Sequence, residues 1–259
     1  THTNGDTVDY SALTSNFITV NLADSGNSTN VMINGITADD NLTNIENIIG
    51  TQLDDSIYGN TSNNTLEGRD GADTLAGGLG DDFLYGGDIL GTDNSTADTV
   101  TYEDSSTAVT VNFETGTAIG EGTDTLIGIE NAIGSDLDDT FKSKFDTDNS
   151  FDGGAHNLGD TVDYSDLTVN VITEDKIVSD GSSVQVYQGG NVTATDTLID
   201  IENIIATDGN DTLTGDNSDN TLKGLDGDDL LEGKSGNDYL DGGTDGETNG
   251  DTANYSYSN

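Results

Sequence analysis

The chain has 259 residues, of which 50 are Asp or Glu and six are Lys or Arg, so its formal charge is −44, and only 31% of it is hydrophobic. Such a balance excludes nucleic acid and anionic membrane surfaces as partners, because both demand a cationic face, and it leaves too little apolar surface to offset chain entropy in a conventional core. There is no cysteine to staple the fold or to act as nucleophile or zinc ligand, and no apolar stretch long enough for membrane insertion.

From the beginning of the chain, Asn4-Gly5-Asp6-Thr7-Val8-Asp9-Tyr10-Ser11 reads as a short strand, and Phe17 to Leu22 alternates as a second. The string Ile45-Glu46-Asn47-Ile48-Ile49-Gly50 then opens a nine-residue period, with glycines at 50, 59, 68, 77 and 86. Its sixth places hold Asp55, Asn64, Asp73 and Asp82, and its eighth places Ile57, Leu66, Leu75 and Leu84. The opening string returns around Asp98-Thr99-Val100-Thr101-Tyr102, a strand follows over Val109 to Phe113, and Ile129-Glu130-Asn131 leads into a degenerate copy that keeps Asp139, Phe141 and Asp148.

Gly159-Asp160-Thr161-Val162-Asp163-Tyr164-Ser165 opens a third unit, with a strand expected at Val169 to Val171. After Ile201-Glu202-Asn203 the ladder reappears 156 residues further on, with Asp211, Asn220, Asp229 and Asp238 at the sixth places and Leu213, Leu222, Leu231 and Leu240 at the eighth. Asn249 to Ser256 begins another unit. The expected organisation is unit 1 over 1–94 with a ladder at 50–87, a degenerate unit 2 over 95–156, unit 3 over 157–248 with a ladder at 206–243, and an incomplete unit over 249–259. A segment cut from a longer repetitive protein is expected.

Forty of the acidic residues are Asp, the short carboxylate that suits tight turns and hard-cation coordination. Glycines at the first, second and fourth places let a turn enter positive φ. One large apolar residue in nine gives a three-residue strand with a single inward side chain. Such a rung is unstable alone, so stacking and ion binding must hold it. A divalent ion between stacked turns collects carbonyl and carboxylate oxygens in the roughly six to eight ligand range of Ca²⁺, while Mg²⁺ demands a tighter geometry. A solvated acidic coil would have no reason to keep Leu or Ile two places after each Asp or Asn.

Gly77-Gly78-Leu79-Gly80-Asp81-Asp82-Phe83-Leu84-Tyr85 matches G-G-x-G-x-D-x-U-x in full, and Gly68 to Ala76, Gly224 to Glu232 and Gly233 to Asp241 match with Arg69, Leu225 and Lys234 in the second glycine's place. The chain thus resembles the repeats-in-toxin (RTX, hemolysin-type) calcium-binding family, and the surrounding strings resemble the repeat regions of large RTX adhesins. That resemblance implies an all-β, right-handed parallel β-roll or β-solenoid with longer inserted strands, several bound Ca²⁺ ions, type I secretion, and a bacterial surface or secreted location. It also implies ligands: carboxylates at Asp55, Asp73, Asp82, Asp211, Asp229 and Asp238, and turn oxygens at Gly68, Asp70, Gly77, Leu79, Gly86, Asp88, Gly224, Asp226, Gly233, Ser235 and Gly242. Asn64 and Asn220 depart from the pattern and weaken their edge, and Asp55 and Asp211 begin each ladder.

No zinc-protease, lipase or cysteine-protease constellation is present, so an enzyme is not expected. The expected role is a non-catalytic calcium-binding module of an adhesin, whose partners are calcium and neighbouring repeats, any surface or carbohydrate ligand being engaged through other domains. The alternative is the calcium-binding secretion module at the C-terminus of an exported protease, lipase or alginate epimerase. Ice binding would need a Thr ladder, and only Thr51 and Thr207 stand at the second place. The Ile-Glu-Asn strings and the unit tyrosines are expected to pack rungs, and His2 and His156 to be incidental. The segment around Lys142 to Ser150, which has no glycine in a turn place and carries two of the six cations, Lys142 and Lys144, is expected to loosen before the ladders at Gly68 to Gly87 and Gly224 to Gly243 as calcium falls.

Overall fold

In the computed structural model the chain is described over residues 5–88, 98–144, 147–167, 176–188, 190–244 and 249–255. It divides into two compact units, Thr1–Val109 with Thr115–Ile133, and Thr110–Glu114 with Gly134–Asn259. Every regular element among the described residues is a β-strand, most of three residues. The strand expected at Val169 to Val171 lies outside the described residues.

In the first unit one parallel stack runs through Thr7–Asp9, Asn47–Ile49, Thr65–Glu67, Phe83–Tyr85 and Thr123–Ile127. A second runs through Ile18–Asn21, Ser56–Tyr58, Thr74–Ala76, Thr99–Thr101 and Asn131–Ile133. Within the ladder, strand partners lie two nonapeptides apart, Asn47 against Thr65 and Thr65 against Phe83, because successive nonapeptides serve opposite sheets and two of them complete one coil. The eighth-place residue is the most enclosed of the three in each ladder strand of this unit. Ile48, Leu66 and Leu84 therefore form one column and Val20, Ile57, Leu75 and Val100 another, all 0% exposed. Antiparallel additions, Ser28–Ile33 with Ile36–Thr43 and Thr117–Ile119 on Thr123–Ile127, are the inserted longer strands.

The second unit repeats the plan. Thr110–Asn112, Thr140–Lys142, Thr161–Asp163, Asn203–Ile205, Thr221–Lys223 and Tyr239–Asp241 form one parallel stack. The other carries Thr212–Thr214, Leu230–Glu232 and Thr252–Ala253 in parallel, and an antiparallel insertion of Lys176–Ser179, Ser183–Gln188 and Asn191–Ile199 that pairs onward to Ser150–Asp152. Where the glycine frame degenerates, the columns become aromatic: Phe151 packs 5.3 Å from Phe141 and 5.6 Å from Phe113 between ring centres. The fold is all-β, with short strands in parallel stacks, as the resemblance implied for a β-roll.

Candidate metal centres at the coil turns

Each coil turns at its glycine-rich corners, and the second place of the turn decides what the sixth-place side chain can do. At Arg69, Gly78, Leu225 and Lys234 the second place has φ of 85°, 89°, 76° and 70°. Holding an L-residue there costs on the order of 1–2 kcal/mol, and three of the four are not glycine. The left-handed twist swings the peptide so that Arg69 N–H donates to the Gly86 carbonyl of the next coil at 2.8 Å and leaves the sixth-place carboxylate to itself.

That carboxylate spans two coils. Oδ1 of Asp73 accepts the Asp55 N–H at 2.7 Å, Oδ1 of Asp82 the Asn64 N–H at 2.7 Å, Oδ1 of Asp229 the Asp211 N–H at 2.8 Å, and Oδ1 of Asp238 the Asn220 N–H at 3.0 Å. The other oxygen, Oδ2, of Asp73 and of Asp82 is buried with no hydrogen-bond partner. Burial pushes the carboxyl of Asp73 up to about 8 and that of Asp82 to about 7, with neighbouring carboxylates adding to the shift.

A buried, unpartnered carboxylate oxygen is expensive unless a cation accompanies it, and its surroundings are oxygens. A Cβ added at Gly68 would collide with Asp73 Oδ2 and stand 2.7 Å from the Gly86 carbonyl; one at Gly224 would collide with Asp229 Oδ2 and stand 2.8 Å from the Gly242 carbonyl. A Cβ at Gly77 or Gly233 would likewise collide with Oδ2 of Asp82 or of Asp238. Carboxylate and carbonyl oxygens thus converge in pockets that only glycine leaves open, a donor set suited to a hard cation such as Ca²⁺. Of the third-place residues, Asp70 and Asp226 are half-buried, as is Asp88, while Leu79 and Ser235 are exposed.

Other turns are closed from within. The second-place N–H of Thr51 donates to Asp55 Oδ2 at 2.6 Å and its hydroxyl to Oδ1 at 3.1 Å. Thr207 serves Asp211 alike, at 3.0 Å from the N–H and 3.0 Å from the hydroxyl to Oδ2, and Ser135 serves Asp139 at 2.6 and 3.1 Å. Asn64 and Asn220 accept the second-place N–H of Asn60 at 2.8 Å and of Asp216 at 2.9 Å, and spend their amide donors on the carbonyls of Glu46 at 2.7 Å and Glu202 at 3.1 Å. None of these five second-place residues has positive φ. The tyrosines of the unit strings close two more carboxylates, Tyr102 on Asp124 and Tyr164 on Asp196, both at 2.8 Å.

Several participants escape a strict nine-residue reading. Asp98, Asp124, Asp160 and Asp251 each hand Oδ1 to a backbone N–H of the preceding coil, at 2.7, 3.0, 2.7 and 2.9 Å, as the ladder residues do. The signal that finds them is the spacing Asp-x-apolar, as in Asp98-Thr99-Val100 and Asp160-Thr161-Val162. The Ile-Glu-Asn glutamates cap the preceding strings: Glu46 accepts from Asp6 N–H at 2.8 Å, Glu130 from Asp98 at 3.2 Å and Glu202 from Asp160 at 3.0 Å.

A family model for the RTX calcium-binding nonapeptide repeat, four copies, matches residues 49–88, 199–231 and 214–245. A search of curated proteins finds no match to the chain. The matched segments are the two glycine ladders whose turns are described above. Among the described residues no helix is long and apolar enough to cross a membrane.

Proposed function

We propose that this chain, which belongs to the RTX calcium-binding repeat family, is a non-catalytic segment of a secreted or surface-tethered adhesin that folds and stiffens when Ca²⁺ enters its turns. The repeats make it a calcium-binding module. The observation that supports calcium-dependent folding is the buried, unpartnered Oδ2 of Asp73 and Asp82 inside a chain of net charge −44. A bound cation would supply the positive charge that lets these oxygens stay ionised, and would tie one coil to the next.

The sites proposed on this basis are the open turns. Asp73 with the Gly68 and Gly86 oxygens, Asp82 with Gly77, Asp229 with Gly224 and Gly242, and Asp238 with Gly233 provide carboxylate and carbonyl oxygens, and Asp70, Leu79, Asp88, Asp226 and Ser235 would contribute main-chain oxygens beside them. Asp55 and Asp211, already bonded to Thr51 and Thr207, serve as closed ends of the two ladders. The repeat units over 1–94, 95–156 and 157–248 then act as successive segments of an extracellular chain, with no reaction to perform.

A calcium titration followed by circular dichroism tests this. Excess chelator should leave the chain largely without β-structure, millimolar Ca²⁺ should restore it, and Mg²⁺ should not. If several sites fill at about a hundred times their Kd, each adds about 2.7 kcal/mol of stability, comparable together with the whole stability of an ordinary domain. A β-rich spectrum indifferent to chelator would overturn the proposal.

A further inference from the structure

One open turn differs from the others in containing a nitrogen donor. Between Gly153 and Asp160 the corner is longer than a nonapeptide turn, and it places His156 against two carboxylates. Its Nδ1 lies 2.7 Å from Glu202 Oε2 and 3.6 Å from Asp160 Oδ2, and one ligand atom from each of the three residues lies within 4.8 Å of the others. The Asp160 side chain is 0% exposed and its Oδ2 has no hydrogen-bond partner. His156, with its side chain 35% exposed, leaves one side of the cluster open to water.

The cluster is held by its surroundings. Asp160 Oδ1 accepts the Asp139 N–H at 2.7 Å, and Glu202 Oε2 accepts the Asp160 N–H at 3.0 Å. Asp138 Oδ1 accepts the N–H groups of Asn157 and Leu158, both at 2.7 Å, which anchors the loop that presents His156. Gly159, at φ 112°, passes so close that a Cβ there would stand 2.9 Å from the Glu202 Cβ. Such support around the ligands fixes their orientation.

We propose that His156, Asp160 and Glu202 form a mixed nitrogen and oxygen site for a borderline divalent transition ion of the Zn²⁺ class, distinct in ligand chemistry from the oxygen-only turns. Ca²⁺ takes oxygen ligands, whereas Zn²⁺ accepts imidazole nitrogen and carboxylate oxygen at about 2.0–2.2 Å and commonly keeps a fourth position for water. The three donor atoms are close enough together to share one such ion. The sequence carries the pattern twice: both histidines of the chain stand four residues ahead of the first Asp of a Gly-Asp-Thr-Val-Asp-Tyr-Ser string, His2 before Asp6 and His156 before Asp160. Glu46 accepts the Asp6 N–H as Glu202 accepts that of Asp160. His2 itself lies outside the described residues.

Co²⁺ serves as the probe, added to the full chain held folded in excess Ca²⁺. Its visible absorption should develop an intense band typical of four or five ligands, at micromolar metal, and Zn²⁺ should displace it. His156→Gln and Glu202→Gln should each weaken binding at this site by at least tenfold, while the calcium midpoint for β-structure stays within about twofold of the parent chain. His2→Gln should remove any second equivalent. Equal Co²⁺ binding in the parent and His156→Gln chains, or displacement of Co²⁺ by millimolar Ca²⁺ alone, would overturn the proposal. Failure of Ca²⁺ to fold the chain would instead strike the calcium reading, so the two outcomes are separable.

Discussion

The turn at Gly68 to Asp73 and the turn at Gly134 to Asp139 do the same geometric job with opposite chemistry. In the first, Arg69 sits at φ 85° and its N–H goes to the next coil, so Asp73 Oδ2 is buried alone. In the second, Ser135 keeps negative φ and gives Asp139 both an N–H and a hydroxyl. The adjoining columns differ as well: the ladder is filled by Ile48, Leu66 and Leu84, and the middle copy by Phe141 and Phe151, all 0% exposed. One turn is left dependent on an external cation and the other is complete without one. The two corners thus differ in where the sixth-place carboxylate finds its partners.

The largest expected effect is on calcium removal. Hydrogen exchange across a calcium series should show amide protection lost first at Thr65–Glu67, Thr74–Ala76 and Phe83–Tyr85, and last at Thr140–Lys142 and Thr161–Asp163. This reverses the order expected from glycine content alone. Lys142 reinforces the middle copy through Asp163 at 3.1 Å and through Asp166. Protection lost first in the middle copy would break the comparison.

Substitution should separate the two turns next. Asp73→Ala should raise the calcium midpoint of folding about tenfold or more, since it removes a carboxylate from an open turn. Asp139→Asn should shift the calcium midpoint little and lower thermal stability instead, because its partners are Ser135 N–H and hydroxyl; a weakened buried hydrogen bond costs about 1–3 kcal/mol. Titrations and melts of both variants at fixed calcium decide it, and equal calcium shifts would mean that diffuse charge, not turn geometry, controls binding.

Acid should act in the same direction as calcium, though less strongly. Burial raises the carboxyls of Asp73 to about 8, Asp82 and Asp160 to about 7 and Asp196 to about 6, against about 3.9 in an unfolded chain. Between those values the folded state binds more protons than the unfolded state, so metal-free stability rises as pH falls from about 8 toward about 4 and is lost as pH rises through the same window. Thermal melts in chelator should therefore show more β-structure at pH 5 than at pH 8. Calcium affinity should fall over that range as protons compete. A metal-free chain that loses structure on mild acidification would contradict the burial of these groups.

Much of this was legible in the residues. The nine-residue period gave the stacked rungs, the eighth-place apolar residues their inward side chains, and the Asp spacing the turns, while the alternation of successive nonapeptides between two sheets came from the strand pairing. What could not be read was which turns are open, because Asp55 and Asp73 occupy the same place in the motif and differ through the backbone at Thr51 and Arg69 and the Thr51 hydroxyl. Tyr102 and Tyr164 were legible as rung packing, but their hydroxyl bonds to Asp124 and Asp196 link residues 22 and 32 positions apart. His156 was passed over for the same reason: its partner Glu202 belongs to a different string, and only the pairing of Thr161–Asp163 with Asn203–Ile205 brings the two strings together.

The smallest expected effect is also the most discriminating, because it makes one change at one turn position in both regions. Leu225 stands at the second place of a ladder turn with φ 76°, so Leu225→Gly removes a left-handed strain of roughly 1–2 kcal/mol and returns part of it through the greater freedom of glycine when unfolded. Ser135 stands at the same place of the middle turn with its hydroxyl 3.0 Å from Asp139 Oδ1 and 3.1 Å from Oδ2. Ser135→Gly relieves no strain there and takes a hydrogen-bond donor from a carboxylate that is 1% exposed. In saturating calcium the first substitution should raise the melting temperature by about 1–3 °C, and the second should lower it by about 2–6 °C, since 1 kcal/mol moves a chain of this size by roughly 2–4 °C. Shifts of the same sign would mean that the second-place backbone does not set the two turn types apart, and the division between cation-dependent and self-closed corners would fall with it.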